Sequence, residues 1–315
     1  MTHLAIDLGG TAVKVGVFDG RRLVDSGELP AADGRLVLEH VAVAAEGMLR
    51  GTRPDGVAIA VPGIVDPDAR RLVAAHGKYA ELHGVDLAAW SATRFGAQAV
   101  VENDARAALI GEMTGGSAHD VPDAVLIALG TGIGTAAALD GRLIRGAHGH
   151  AGVLSGHVTV DLDGPRCPCG NLGCGEALAS TWALGEAVGH GTVAIGPELA
   201  RRFGSAGELG IRDLVETRHE PESAAILERF VRIWGAVIVS QCHAFDPTVV
   251  VVTGGVLRSR EVVLPAVVDY VHEHLWSSSF RPTFVTPEEP SLSVLRGLAV
   301  IALDSAPARD IHDAR

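Results

Sequence analysis

The sequence predicts an α/β protein of two lobes built by internal duplication, and three observations carry that reading. At 315 residues the chain exceeds the size at which one core usually stops growing, so two lobes are expected. Hydrophobic residues make up 47% but aromatics only 4%. The core must therefore be mostly Ala, Val, Leu and Ile, the composition of buried parallel strands under covering helices. The third observation is a repeat: strand, Gly/Thr turn, strand, Asp-Gly turn, strand occurs around DLGGT and again around LGTGIGT. FDGRRLV from Phe18 matches LDGRLI from Leu139, and 121 residues separate Gly9 from Gly130 as they do Asp19 from Asp140. One Gly/Thr hairpin per lobe is expected, both facing a shared cleft.

Taken in order, Leu4 to Leu8 and Val13 to Phe18 read as strands around the first turn, and Asp19-Gly20 as a hairpin before Arg22 to Val24. Gly56 to Asp66 reads as a buried strand running into a loop, Asp86 to Phe95 as a helix and Ala97 to Val101 as a strand. That strand ends in Glu102-Asn103-Asp104, and Ala105 to Met113 has the composition of a helix stopping at Gly115-Gly116. After the second hairpin, Glu176 to Val188 looks helical, whereas Gly189 to Gly210 is glycine-rich and carries no clear period. Glu222 to Phe245 reads as one long helix with Pro221 suited to its first turn. DPTVVVVTGGVLRS gives a buried strand and a glycine turn, then Glu261 to Leu275 and Val294 to Leu303 read as helices. The expected lobes are residues 1–117 and 118–292, with a last helix at about 293–307 packing back on the first.

Net charge is −12 with lysines only at Lys14 and Lys78, which argues against a broad surface for nucleic acid or anionic membrane and favours a small-molecule substrate. The start, MTHLAIDLGG, lacks a basic n-region and a long apolar stretch, so a cytoplasmic protein is expected. The apolar run Ala124 to Leu139 is broken by glycines and threonines and is too short for a bilayer. In a reducing compartment the four cysteines mean metal or inert thiols rather than disulfides.

Three of those cysteines lie between Arg145 and Glu176. Cys167, Cys169 and Cys174 form C-x-C-x4-C, with His157 ten residues before the first. Such a thiolate-rich donor set suits tetrahedral zinc. Buried reduced thiols are the alternative, but Gly164, Pro165, Pro168, Gly170 and Gly173 punctuate a tight loop that needs a reason to hold its shape. Cys242, in VIVSQCHAF, is most simply core.

Glycines let backbone N–H groups approach phosphate with no side chain intervening, so Gly9, Gly10 and Thr11 in one turn and Gly130, Thr131, Gly132 and Gly134 in the other are candidate phosphate binders. Neither turn matches the dinucleotide fingerprint or the P-loop. Asp7 is placed to hold Mg2+, directly or through water. Lys14 reads equally as a phosphate contact or a solvated strand residue. Asp104, where a strand feeds a helix N-terminus, is a candidate general base; the competing reading is a plain helix N-cap.

DLGGT, VPGIVDP, VENDARAALIGE, LGTGIGT, the metal loop and VTGGV occur in the order seen in one family, and the chain resembles the ROK-family sugar kinases, a group of repressors, open reading frames and kinases. The resemblance implies the duplicated actin-like, ribonuclease-H-like α/β fold with a zinc-binding loop at residues 157–176, binding ATP and a sugar in its cleft. It implies that Asp7 through Thr11 and Gly130 through Gly134 line the phosphates, with Gly254 and Gly255 near the nucleotide. It implies that Gly63, Asn103 and Asp104 bind the sugar, that Asp104 is also the base, that His157 ligates zinc and meets the sugar, and that Glu176 accepts a hydrogen bond from a sugar hydroxyl. A homo-oligomer, dimer or tetramer, is implied too.

The chain departs from the family pattern at two places. Where the usual G-E-x-G-H has its glutamate, this chain has Leu154, and the segment Ala151 to His157 is one residue longer than usual. Arg106 replaces the asparagine usual in the NDAN run. The expected function is therefore phosphoryl transfer from ATP, with Mg2+, to a hexose or N-acetylhexosamine, with Asp104 and both phosphate turns in support and the usual glucose specificity unsupported. The alternative is a weak or idle sugar-binding regulator; with the first strand starting at about Leu4, no N-terminal helix-turn-helix is expected.

Overall fold

Three antiparallel strands begin the chain: β1 (Thr2–Leu8), β2 (Ala12–Asp19) and β3 (Arg22–Pro30). Parallel to β1 runs β4 (Gly56–Val61), every residue of which is buried, as the unbroken apolar run GVAIAV requires of a strand covered on both faces. The short hairpin β5 (Ile64–Val65) and β6 (Leu72–Ala74) follows, and β7 (Ala99–Asn103) completes a sheet of order β3-β2-β1-β4-β7. Helices α1 (Leu36–Leu49), α2 (Leu87–Phe95) and α3 (Asp104–Gly115) belong to the same unit. The computed structural model describes residues 1–10, 12–31, 35–66, 68–75, 77–206 and 208–305.

A second unit repeats the sheet. β8 (Ala124–Leu129), β9 (Ile133–Leu139) and β10 (Arg142–Leu143) are antiparallel, and β11 (Val249–Thr253) and β12 (Thr283–Val285) add on in parallel, giving the order β10-β9-β8-β11-β12. Order and strand sense therefore match the first sheet position for position. The first turn interrupts the chain between Leu8 and Ala12 and the second between Leu129 and Ile133, the same phase in each. Helices α4 (Gly175–Ala179), α5 (Thr181–Gly189), α6 (Pro197–Ala206), α7 (Ile211–Glu216), α8 (Pro221–Phe245) and α9 (Arg260–His274) complete this unit. Its core centres on Trp234 of α8, fully buried, with its indole N–H donating to Ala179 O at 2.7 Å.

The last helix, α10 (Ser293–Ser305), packs on α3, β1 and β4 in the first unit. The segment Arg145–His150 also belongs to the first unit, although the chain on either side of it belongs to the second. Among the described residues, no helix is long and apolar enough to cross a membrane.

Some elements differ from the sequence expectation. The single helix expected over Glu176 to Val188 is two, broken at Ser180, whose backbone is extended (φ −114°, ψ 160°). The break lets the amides of Thr181 and Trp182 donate to the carbonyls of Gly130 and Thr131, contacts no local pattern could reveal. The unassigned stretch Gly189 to Gly210 contains α6, and the strand expected over Ala97 to Val101 lies two residues later.

Candidate functional site

In the first unit, β1 carries Asp7 to the sheet's end, where it is 5% exposed. Burial, then the charge of Asp104, pushes its carboxyl up to about 7, and Lys14, its partner across β1 and β2, opposes this. In the adjoining turn, Gly9 has no room for a side chain, since a Cβ would fall 2.5 Å from Ala12 O. Its carbonyl accepts the Tyr79 hydroxyl at 2.7 Å, while Gly10 faces open space. Thr11 lies outside the described residues.

At the junction of β7 and α3 it is Asn103, not Asp104, that caps the helix: Asn103 Oδ1 accepts the Arg106 amide at 3.1 Å. Asn103 Nδ2 donates to Gly63 O at 3.0 Å and to Asp104 Oδ1 at 3.1 Å. Gly63, at φ 128°, holds a backbone conformation suited to glycine, and a Cβ there would meet Ala74 O at 2.2 Å. Asp104 is thus relieved of capping and stands at the first helical position. Burial pushes its carboxyl up to about 6, held back by the amides of Ala105 and Asp104 and by Asn103. Beyond those groups, no hydrogen bond engages this carboxylate among the described residues.

Beneath this junction lies a charged cluster. Glu102, buried, accepts the Asn103 amide at 2.8 Å and pairs with Arg145 Nη2 at 2.5 Å. Arg106, also buried, lies 3.7 Å from Glu102 and donates to Gly149 O at 2.9 Å. Arg106 therefore holds the Arg145–His150 segment on its own unit, and Glu102 and Arg145 join it there. The only sequence signal for these two was the i, i+4 spacing of Glu102 and Arg106, since Arg145 is distant in sequence.

In the second unit the turn from Gly130 to Gly134 is held from several sides. Gly130 N donates to Gly132 O at 3.1 Å, Ile133 N to Glu176 Oε2 at 2.7 Å, and Gly134 lies in the β8–β9 ladder. The amides of Thr131 and Gly132 have no partner among the described residues, so these two N–H groups are available to an anion. Gly254 (φ 93°) and Gly255 come against the same turn: a Cβ on Gly130 would lie 3.4 Å from Gly255 N, and one on Gly254 would lie 2.6 Å from Leu129 O.

The loop of His157, Cys167, Cys169 and Cys174 brings one ligand atom from each residue to within 4.8 Å of the others. Cys167 Sγ lies 3.6 Å from His157 Nδ1, and Cys169 Sγ 3.7 Å from Cys174 Sγ. Tetrahedral zinc, with Zn–S of about 2.3 Å and Zn–N of about 2.0 Å, sets edges of about 3.8 Å between sulfurs and about 3.5 Å between sulfur and nitrogen. The donor set and these edges fit zinc. Asn171 Nδ2 lies 3.4 Å from Cys174 Sγ and 3.2 Å from His157 O, an outer contact of the kind that orients metal ligands. Burial pushes the Cys174 thiol up to about 12, so a bound cation would have to displace its proton.

His157 ends a short 3-10 turn, Ser155–His157, in which the Ser155 amide donates to Thr135 Oγ1 at 3.2 Å. Leu154, just before it, is 38% exposed, so the position of the missing acid presents an apolar side chain. Glu176 spends Oε2 on Ile133, and Oε1 has no hydrogen-bond partner among the described residues. The structure thus brings together Asp7, Gly9, Lys14, Gly63, Asn103 and Asp104 in the first unit. In the second it groups the turns at Gly130 and Gly254 with Glu176, and His157, Cys167, Cys169 and Cys174 with one another.

A model of the ROK family matches residues 3–305. Glucokinase of Thermotoga maritima is 30% identical over 279 residues, covering 85% of this chain and 87% of that protein. The xylose repressor of Bacillus subtilis is 25% identical over 79% of this chain, which spans 61% of the repressor. Among solved structures, a ROK family glucokinase from Streptomyces griseus in complex with glucose and AMPPNP superposes with a TM-score of 0.80 at 27% identity, covering 96% of this chain and all (100%) of that one.

Proposed function

From the premise that the chain belongs to the ROK family, we propose that it is an ATP-dependent sugar kinase of duplicated actin-like fold, with Asp104 as general base. The observation that carries this is the state of Asp104: it is released from capping by Asn103, buried, and has a carboxyl raised to about 6. Such a group is ionised near neutral pH yet a far better proton acceptor than an ordinary aspartate.

Asp104 takes the proton of a sugar hydroxyl as that oxygen forms its bond to the γ-phosphorus, and the bond from phosphorus to the β–γ bridging oxygen breaks, releasing ADP. Asn103 fixes Asp104 Oδ1, which directs the free oxygen to the substrate. In the second unit the Thr131 and Gly132 amides bind phosphate oxygens and Gly254 and Gly255 let nucleotide approach closely; in the first, Gly9, Gly10 and Thr11 are the phosphate-binding turn and Lys14 adds charge. Asp7 would hold Mg2+, which when bound supplies positive charge against the phosphates. Zinc held by His157, Cys167, Cys169 and Cys174 supplies rigidity, leaving His157 Nε2 and Glu176 Oε1 for sugar hydroxyls. Similarity to the glucokinases supports this reading.

The sugar is a hexose or N-acetylhexosamine, selected differently from glucose because Leu154 offers no hydrogen bond where the family has an acid. A panel of both sugar classes with ATP, read by coupled ADP release, tests the reading, and no ADP release with any sugar sinks it. A second reading, a sugar-binding regulator with little turnover, draws on the repressor similarity and on Leu154. It predicts sugar binding by calorimetry without ADP release. We expect a homodimer or tetramer, checked by light scattering.

A further inference from the structure

Ile133, the first residue of β9, is held on both of its backbone polar sides by segments that carry metal ligands. Its amide donates to Glu176 Oε2 at 2.7 Å, and Glu176 is two residues beyond Cys174. Against its carbonyl lies Gly156, the residue before His157, so close that a Cβ would fall 2.3 Å from the oxygen. Gly132, inside the turn, is shaped to the same carboxylate: a Cβ there would lie 2.6 Å from Glu176 Oε2. Gly175, at the start of α4, sits under Val237 of α8, where a Cβ would meet the valine at 2.6 Å. The metal loop, α4 and the glycine turn are therefore packed with no slack at the point where Glu176 meets Ile133.

A residue that only received a sugar hydroxyl would not need an oxygen committed to the turn. We propose that Glu176 is a positioning residue that couples the metal site to the phosphate turn. Metal held by His157, Cys167, Cys169 and Cys174 fixes the start of α4. Glu176, through the Ile133 amide, then fixes the adjacent Thr131 and Gly132 amides in the orientation that receives phosphate. This rests on the kinase reading above. Coupling between two sites is reciprocal in affinity, so bound nucleotide must tighten the hold on zinc, and slower loss of zinc is the expected expression of that gain.

The experiment follows zinc release from the purified protein to a chromogenic chelator, without sugar, in the presence and absence of magnesium-saturated AMPPNP. Nucleotide is expected to slow release by at least about five-fold, the lower end of ordinary coupling between sites. Glu176→Gln keeps an oxygen for the Ile133 amide and is expected to retain the effect, whereas Glu176→Ala is expected to abolish it. Gly132→Ala attacks the same contact from the turn and should also lose it, which covers the case in which Glu176→Ala fails to fold. Unchanged release in the native protein, or equal slowing in Glu176→Ala, overturns the coupling while leaving the kinase reading intact, provided a fluorescent nucleotide binds. Absence of nucleotide binding removes both, and absence of zinc from the purified protein overturns the coupling alone.

Discussion

Asn103 donates to Asp104 Oδ1 at 3.1 Å while its own oxygen caps α3 through the Arg106 amide. The division of labour leaves Asp104 uncommitted to the cap: one residue satisfies the helix end and orients its neighbour. Asp104→Asn keeps an oxygen for the Ala105 amide but cannot accept a substrate proton. It is expected to lower kcat by about 10^2 to 10^4-fold with sugar affinity nearly unchanged. Steady-state kinetics with calorimetry decide this, and near-native turnover removes Asp104 from the role.

Asp7 and Asp104 carry carboxyls raised to about 7 and about 6. Turnover is expected to fall as pH drops through that window, the two groups titrating as a pair. For stability the sign is opposite. A raised carboxyl favours the protonated native state, so its contribution is present below the unfolded value and is lost as pH rises through about 7. Asp7→Asn is therefore expected to stabilise the fold near about pH 8 by about one to a few kcal/mol, seen as a raised Tm, and to change it little near about pH 4, while lowering turnover. Thermal scans at both pH values check this; an equal shift at both refutes the ionisation argument.

One zinc per chain is the expectation from the His157 and cysteine geometry. Cys174→Ser and Cys169→Ser should each lose the metal, because a serine hydroxyl is a poor substitute for thiolate. Loss of a structural metal takes folding free energy with it, so a lowered Tm and weakened sugar binding are expected together. Elemental analysis under reducing conditions and a thermal scan measure both, and full stability with no metal contradicts the assignment.

The clusters that the structure brings together within one turn were legible because they rest on neighbours in sequence. The glycine turns, Asn103-Asp104 and C-x-C-x4-C each lie within a few residues of sequence. The rest depended on contacts across the fold. The break at Ser180 is set by carbonyls of Gly130 and Thr131, and α6 receives its N-terminal acceptor from Glu220, whose carboxylate takes the amides of Glu198 and Leu199 at 2.8 and 3.3 Å. Arg106 was visible as a departure, but its partners Gly149 and Glu102 showed that it secures a chain segment.

The helix that carries Asp104 is in turn held by α10 through glycine. A Cβ on Gly297 would fall 1.8 Å from Ala107 O, and one on Gly111 would fall 2.1 Å from Ser293 O, so the two helices meet backbone to backbone. Below them, Ser293 Oγ donates to the buried Glu112 at 2.6 Å. Alanine is better than glycine in a helix interior by about 1 kcal/mol, so at ordinary helix separation Gly297→Ala would stabilise. Here the backbone must move, a strain of about 1–3 kcal/mol or more, and the clash wins. Gly47 of α1, with nothing within 4 Å of its Cβ position, is the control in which propensity acts alone. Denaturant unfolding is expected to show Gly297→Ala destabilised and Gly47→Ala stabilised, with kcat reduced only in the former because α3 shifts with its first residue, Asp104. If both substitutions stabilise, the close crossing does not set the position of α3.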